Sequence, residues 1–453
     1  MNGEMMKAEI DTPPAPPPAS TAAPAADKPK HADLLGTASP DLSRSGAKRV
    51  HYPALDGLRG LAILMVLACH CFQQAPALDG PHWVFGAMGS HGSFGVDLFF
   101  VLSGFLITGI LYDSRALRHR FRNFYARRFL RIFPLYFGVL AFAATVLLAL
   151  RWGDPTLFYS SHAARMVWHA QPFLWTYTEN LRMAAGHSAW CFGHFWSLCV
   201  EEQFYLVWPL VILLLPRRAI IGVCISLIFG ALVLRLVMSA CGAGFLTVYF
   251  FTPARLDPLA AGALVAMLLR APDTTIIPRL VNAARRFVPV VLVGAIVLFV
   301  GFPLASLGTR TAAPELSGFF SRAADGRWCA DFQYSAMALL FSGVLLLLVA
   351  PQGSARLKQL FSWKPLRAIG GYSYGIYVIH YPILGLLRLA EAPGRPLHGL
   401  ETHGVPGALA YVALAIAISF GLAFASFHLY EKRFLKLKKY FPESGPRAAT
   451  VRK

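Results

Sequence analysis

From residue 52 onward the chain alternates long apolar runs with short, basic connectors. A helix rises about 1.5 Å per residue, so a hydrocarbon layer about 30 Å thick takes about 20 residues to cross, and runs of that length recur throughout. They fall at 55–76, 94–112, 132–151, 194–215, 219–239, 246–268, 288–305, 333–350, 369–389 and 407–428. The pattern predicts an all-α, polytopic integral membrane protein of about ten transmembrane helices, occupying 51–440. Residues 1–50 differ: they are rich in Pro and Ala, with Pro13, Pro14, Pro16, Pro17 and Pro18 in one short run. Such a segment buries too little apolar surface to order itself and predicts a disordered cytoplasmic tail; without an apolar h-region it is no signal peptide. A short basic tail, 441–453, closes the chain, with no soluble domain after the last run. No internal repeat stands out, which weighs against the inverted-repeat transporter folds.

Charge orients the runs. The connector between the second and third holds Arg115, Arg118, Arg120, Arg122, Arg127, Arg128 and Arg131, whereas the longer 153–193 segment holds only Arg165 and Arg182. By the positive-inside rule the first of these faces the cytoplasm. Alternation then places Arg217 and Arg218, the 270–286 and 356–367 connectors, and Lys432, Arg433, Lys436, Lys438 and Lys439 on that same side, together with both termini. Trp83, Trp152, Trp168, Trp175 and Trp190 gather toward the opposite face, as an interfacial belt does. Composition agrees: of 453 residues 56% are hydrophobic and 14% charged, against about 25% charged in soluble domains. These proportions exclude a mainly disordered chain and a cytosolic enzyme. The net charge of +19 would suggest a nucleic-acid partner in a soluble protein; here it lies between the apolar runs and reads as topology, so no nucleic acid is expected. The seven cysteines lie mostly inside apolar runs and show neither zinc spacing nor a disulfide framework, so no metal site is expected. Cys191 and Cys329 fall in the two longest outer segments, where a bond between them stays open.

An ionisable group at membrane depth is costly unless it is paired or lines a wet cavity, so these residues carry the information. The first run begins Leu55-Asp56-Gly57-Leu58-Arg59-Gly60 and reaches His70. From Arg59 to His70 a helix turns through about 1100°, a little over three turns, so the two share one face about 16 Å apart along the axis. With Arg59 at the cytoplasmic boundary, His70 stands near the membrane centre; a histidine bonded to a backbone carbonyl, with no chemistry, is the plainer alternative. The fourth run reads His194-Phe195-Trp196-Ser197-Leu198-Cys199-Val200-Glu201-Glu202-Gln203-Phe204-Tyr205. Adjacent helical positions point about 100° apart, so at least one of the two carboxyls faces protein or water. Glu201 reaches a depth within about a turn of His70, where a carboxylate and an imidazole can pair for proton abstraction. A proton relay in a transporter would use the same groups, and chemistry alone does not separate the two. Asp97, Ser103, Arg255, Asp257, Ser373, Tyr374, Tyr377 and His380 are supporting candidates. Of these, Ser103-Gly104 suits close helix approach better than catalysis, Arg255 and Asp257 suit ion pairs with other helices, and Tyr377 and His380 share a face. In Arg127-Arg128-Phe129-Leu130-Arg131-Ile132-Phe133-Pro134, Arg128 and Arg131 stack on one face and their forks suit phosphate oxygens, with plain topology and lipid headgroups as the alternative.

Taken together, the stretches from 52 to about 440 resemble the acyltransferase-3 family of bacterial membrane O-acyltransferases. The likeness rests on Leu55-Asp56-Gly57-Leu58-Arg59-Gly60 with His70, on 95–105, and on Arg128-Phe129-Leu130-Arg131-Ile132-Phe133-Pro134. It is completed by Phe195-Trp196-Ser197-Leu198 with Glu201, Phe204 and Tyr205, and by Gly371-Tyr372-Ser373-Tyr374-Gly375-Ile376-Tyr377 with His380 and Pro382. The resemblance implies a multi-pass protein of the bacterial cytoplasmic (inner) membrane. It would move an acyl group, usually acetyl, from cytoplasmic acyl-CoA to a hydroxyl of a glycan, glycolipid or other acceptor at the outer face. His70 and Glu201 would be catalytic, Arg59, Arg127, Arg128 and Arg131 would bind the donor, and no cofactor would be tightly bound. An extended pantetheine arm spans roughly 15 to 20 Å, close to the Arg59-to-His70 rise. Many members carry a fused extracytoplasmic hydrolase-like domain; none follows here, so the membrane part or a separate partner is expected to complete transfer. Cys199 departs mildly from the family pattern. Two readings compete: a proton-coupled transporter or flippase relaying through His70 and Glu201, and a structural or sensory protein that would tolerate Arg128→Gln.

Overall fold

The structure, a computed structural model, describes residues 52–74, 91–271, 275–296, 328–390, 397 and 404–442. The tail expected to be disordered, 1–50, and the last eleven residues of the chain lie outside them. Every regular element among the described residues is helical: α1 Pro53–Gln74, α2 Phe94–Asp113 and α3 Arg120–Gly153 come first, then the short α4 Pro155–Ser160, α5 His162–Trp175 and α6 Glu179–Ala184. After a 3-10 turn at Trp190–Phe195 come α7 Trp196–Leu214, α8 Arg217–Ala240, α9 Phe245–Phe250, α10 Asp257–Leu268 and α11 Ile276–Ile296. The chain closes with α12 Trp328–Val349, α13 Ala355–Phe361, α14 Lys364–Ala390, α15 Gly404–Ser426 and α16 Lys432–Lys436.

Among the described residues, 7 helices are long and apolar enough to cross a membrane, so the protein is a polytopic all-α membrane protein; three of the ten expected runs are not among these helices. The 246–268 run is not one helix: α9 stops at Phe250, Thr252–Arg255 forms a 3-10 turn, and α10 restarts at Asp257. Pro253 and Pro258 each remove a backbone donor and sit at the starts of new helical segments, where that loss is tolerated. The 288–305 run begins earlier than expected, as α11, and its far part lies outside the described residues. The 369–389 run is helical throughout α14, but its serine, tyrosines and histidine leave it too polar to qualify. Cys191 is a buried free thiol, and the side chain of Cys329 lies outside the described residues.

Two close helix crossings set the frame of the site. A Cβ at Gly60 would run into the Leu366 carbonyl, and one at Gly370 into the Asp56 carbonyl, so α1 and α14 meet backbone to backbone. Gly104 of α2 and Gly262 of α10 do the same against Leu259 and Val101. Water drives no apolar helices together inside a bilayer, so contact of this kind, through small residues, is what packs them. Two buried ion pairs then fix the broken segment. Arg255 bonds Asp97 of α2 at 2.6 Å, and the Arg235 fork of α8 grips both oxygens of Asp257 at 3.1 and 2.9 Å. Ser335 of α12 joins the second pair, donating to Asp257 at 2.9 Å.

Candidate active site

Five helices wall a cavity with about 810 Å³ of open space. Its charged end is built by Arg59 of α1 and by Arg128 and Arg131 of α3. α3 has 34 residues and so rises about 50 Å, which carries its first turns beyond a 30 Å hydrocarbon layer; the i, i+3 spacing turns both arginines to one side. Arg59 touches Asp56 at 3.5 Å. Arg128 lies over the Tyr205 ring at 4.6 Å, and neither its fork nor that of Arg131 donates a hydrogen bond to any described protein group. Glu201, Glu431 and Asp56 offset part of this charge, and the planar paired donors of the open forks still suit a further anion.

The remaining walls are polar stripes at helical spacing. α7 contributes Ser197, Glu201 and Tyr205, four apart, and α14 contributes Ser373, Tyr374 and Tyr377. The Tyr205 hydroxyl forms a short hydrogen bond with Ser103 of α2, and Glu201 lies among Arg128, Ser103, Tyr205 and Arg59. Tyr374 donates to the Ile132 carbonyl at 2.5 Å, one turn from Arg128, so α14 holds α3 at the level of its cavity arginines. Tyr377 donates to the His194 carbonyl at 2.8 Å and meets the Ser197 hydroxyl at 2.5 Å. Its one proton is spent on the carbonyl, so Ser197 must be the donor in the second bond.

Above Tyr377 lies a layer of imidazoles. His70 Nδ1 is 2.8 Å from His380 Nε2, and His380 Nδ1 is 2.7 Å from the Tyr377 carbonyl and 3.1 Å from that of Ile376. Carbonyls only accept, so His380 carries its proton on Nδ1 and offers Nε2 as acceptor. His70 must then donate through Nδ1, which leaves its Nε2 as a free base. The tautomer that leaves His70 Nε2 open is thus imposed by a backbone carbonyl through a second histidine.

His70 and His380 do not line the cavity itself; Tyr377, 5.7 Å from the His380 ring, belongs to both layers. The expected pairing of His70 with Glu201 is not what forms. α7 starts at Trp196, so at the level of His70 its chain supplies His194 instead, while Glu201 lies more than a turn further along, facing the arginines. Arg127 also points elsewhere, donating to the Lys438 and Phe441 carbonyls at 3.0 and 3.1 Å, which pins the C-terminal segment to α3. Asp97, Arg255 and Asp257 sit outside the cavity in the ion pairs described above. Gly104 takes the packing role expected for its pair with Ser103, whereas Ser103 lines the cavity. Two residues escaped the sequence reading: Arg235, which completes an ion pair, and His194, which closes the imidazole layer. Both are ionisable groups within or beside an apolar run, and the depth-cost argument applied to Arg59 and His70 would have found them. Among the described residues no group of three or more His, Cys, Asp or Glu could hold a metal ion.

Fold and site define a multi-pass helical membrane protein built round a cationic cavity with a histidine pair above it. The chain belongs to the acyltransferase-3 family, whose model, an acyltransferase domain, matches residues 52–424. It is similar to the peptidoglycan O-acetyltransferase OatA of Listeria monocytogenes, 28% identical over 356 residues, covering 75% of this chain and 50% of that protein. It is also similar to the putative peptidoglycan O-acetyltransferase YrhL of Bacillus subtilis, 26% identical over 401 residues, covering 84% of this chain and 54% of the relative. The O-acetyltransferase OatA of Staphylococcus aureus is 28% identical over 342 residues, covering 74% and 51%. The chain therefore spans about half the length of these relatives. No solved structure matches it.

Proposed function

We propose that the protein is an acyl-CoA-dependent membrane O-acyltransferase that moves an acyl group, acetyl in the simplest case, to a hydroxyl of a glycan or glycolipid on the far side of the bilayer. The observation that carries this reading is the open forks of Arg128 and Arg131 on a cavity that ends one aromatic layer below His70. Arg59, Arg128 and Arg131 hold the phosphates of the donor. The pantetheine arm, roughly 15 to 20 Å when extended, runs past Tyr377 and brings the thioester to His70. The free Nε2 of His70 takes the proton of the acceptor hydroxyl, while His380 keeps the ring in the productive tautomer. Glu201 orients Arg128 and Tyr205 in this account instead of pairing with the base. The basic connectors support a reading in which the donor side and both termini face the cytoplasm. The names of the relatives make peptidoglycan the first acceptor to try. A relay between His70 and Glu201, which the transporter reading needs, is disfavoured because each has its own separate partners.

The test uses vesicles containing the full chain, with acetyl-CoA on the arginine side and a peptidoglycan-derived oligosaccharide on the other. The proposal expects free thiol on the donor side and acetyl ester on the opposite side. Solute movement driven by a proton gradient, with no thiol released, would instead establish the transporter reading.

A further inference from the structure

His194 is 3% exposed, yet neither its Nδ1 nor its Nε2 has a hydrogen-bond partner. A neutral imidazole carries one donor and one acceptor, and burying both unmet costs stability that a phenylalanine of similar shape would not cost. Buried polar groups left open in this way call for a reason beyond packing. The backbone at this point is held firmly: the His194 carbonyl accepts from Tyr377 at 2.8 Å. The ring is therefore fixed by its own main chain; the Val378 and Tyr377 main chain lies beside it, yet neither ring nitrogen reaches hydrogen-bond geometry.

Its surroundings supply the reason. The His194 ring lies 5.0 Å from the His380 ring and 5.2 Å from the Tyr381 ring. The His70 ring lies 5.1 and 4.6 Å from the same two rings. His70 and His194 thus flank a shared pair of neighbours, one imidazole offering a free base and the other an unused N–H. Addition of a hydroxyl to an acyl carbonyl needs both, a base for the proton and a donor for the oxygen that gains charge.

We propose that His194 contacts the substrate as the oxyanion donor of the acyl-transfer step, an assignment that rests on the acyltransferase reading above. The acceptor oxygen bonds to the carbonyl carbon of the acyl thioester and gives its proton to His70 Nε2. The carbonyl oxygen becomes an oxyanion and accepts the N–H of His194. When the tetrahedral intermediate collapses, the carbon–sulfur bond breaks and the departing thiolate takes the proton back from His70, leaving an ester, a thiol and two neutral imidazoles.

Replacing His194 with Phe fills the same space and removes the unmet polar atoms, so it separates chemistry from packing. Cells producing the full chain as wild type, His194→Phe, His194→Gln or His70→Ala, at matched membrane levels, are pulsed with labelled acetate, and base-labile acetyl groups on the surface glycans are counted. The proposal expects the initial rate to fall about 10²- to 10³-fold in His194→Phe, the loss typical of a missing oxyanion donor. It expects the same variant to melt in detergent at or above the wild-type temperature, and His194→Gln, which keeps an N–H donor, to recover part of the rate. A His194→Phe rate within a few-fold of wild type overturns the assignment, and so does a lost rate accompanied by a lower melting temperature in both His194 variants. If His70→Ala also acetylates normally, the acyltransferase reading itself falls, which tells the two failures apart.

Discussion

Two sets of arginines lie in this membrane domain, and they differ in what their forks meet. Arg235 and Arg255 are fully buried, each paired with an aspartate at 2.9 and 2.6 Å. Where Arg255 lacks further hydrogen bonds it faces the Tyr334 and Tyr249 rings at 4.0 and 4.9 Å, so its charge is still met. Arg128 and Arg131 open on a cavity and make no hydrogen bond to a described group; Glu201 and the Tyr205 ring lie near the first and Glu431 near the second, at longer range than a sealed ion pair. The side chain is the same in both places; saturation separates an arginine that builds the fold from one that waits for a ligand. Asp97 supports the first class, since it fixes Arg255 and thereby the break between α9 and α10.

Breaking a saturated pair should have the largest effect. Asp257→Leu strands the Arg235 fork in the membrane interior and should cost about 3–5 kcal/mol, read as a lower melting temperature in detergent and less inserted protein. Stability equal to wild type would show that this pair is not structural. Opening the other set acts on binding instead. Arg128→Gln and Arg131→Gln should each weaken donor affinity by about 1.5–3 kcal/mol, some tenfold to a hundredfold in KM for acyl-CoA, with the melting temperature unmoved. A collapse of the fold in either variant would erase the contrast. Ionic strength sharpens it further: raising salt to about 1 M shortens the screening length to about 3 Å and should raise donor KM while leaving the sealed pairs, and so the melting temperature, nearly untouched. The smallest effect expected is that of Tyr205→Phe, which removes the bond to Ser103 and should cost about 0.5–1.5 kcal/mol of stability, visible as a melting shift of a few degrees.

The helices were legible because one membrane crossing needs about 20 apolar residues and leaves a long, uninterrupted signal. The break at 251–256 was not, because Pro253 and Pro258 sit inside a run whose average hydropathy hides them. Spacing revealed part of the cavity wall: Arg128 and Arg131, three apart, do turn to the same side, whereas of Tyr377 and His380, also three apart, only Tyr377 lines the cavity. Partner choice was harder. Depth alone placed Glu201 within about a turn of His70, but a pair also needs the right azimuth, and the stripe of Ser197, Glu201 and Tyr205 faces Ser103 and the arginines. His194 escaped for a related reason: at the first position of the fourth apolar run it reads as a boundary residue, yet it is buried beside His380.

The most direct test of the account is mass spectrometry of surface glycans from cells carrying the wild-type chain or His70→Ala at equal membrane abundance. The account predicts that the acyl increment present with the wild type is lost with His70→Ala. An increment of unchanged abundance in the variant would contradict it.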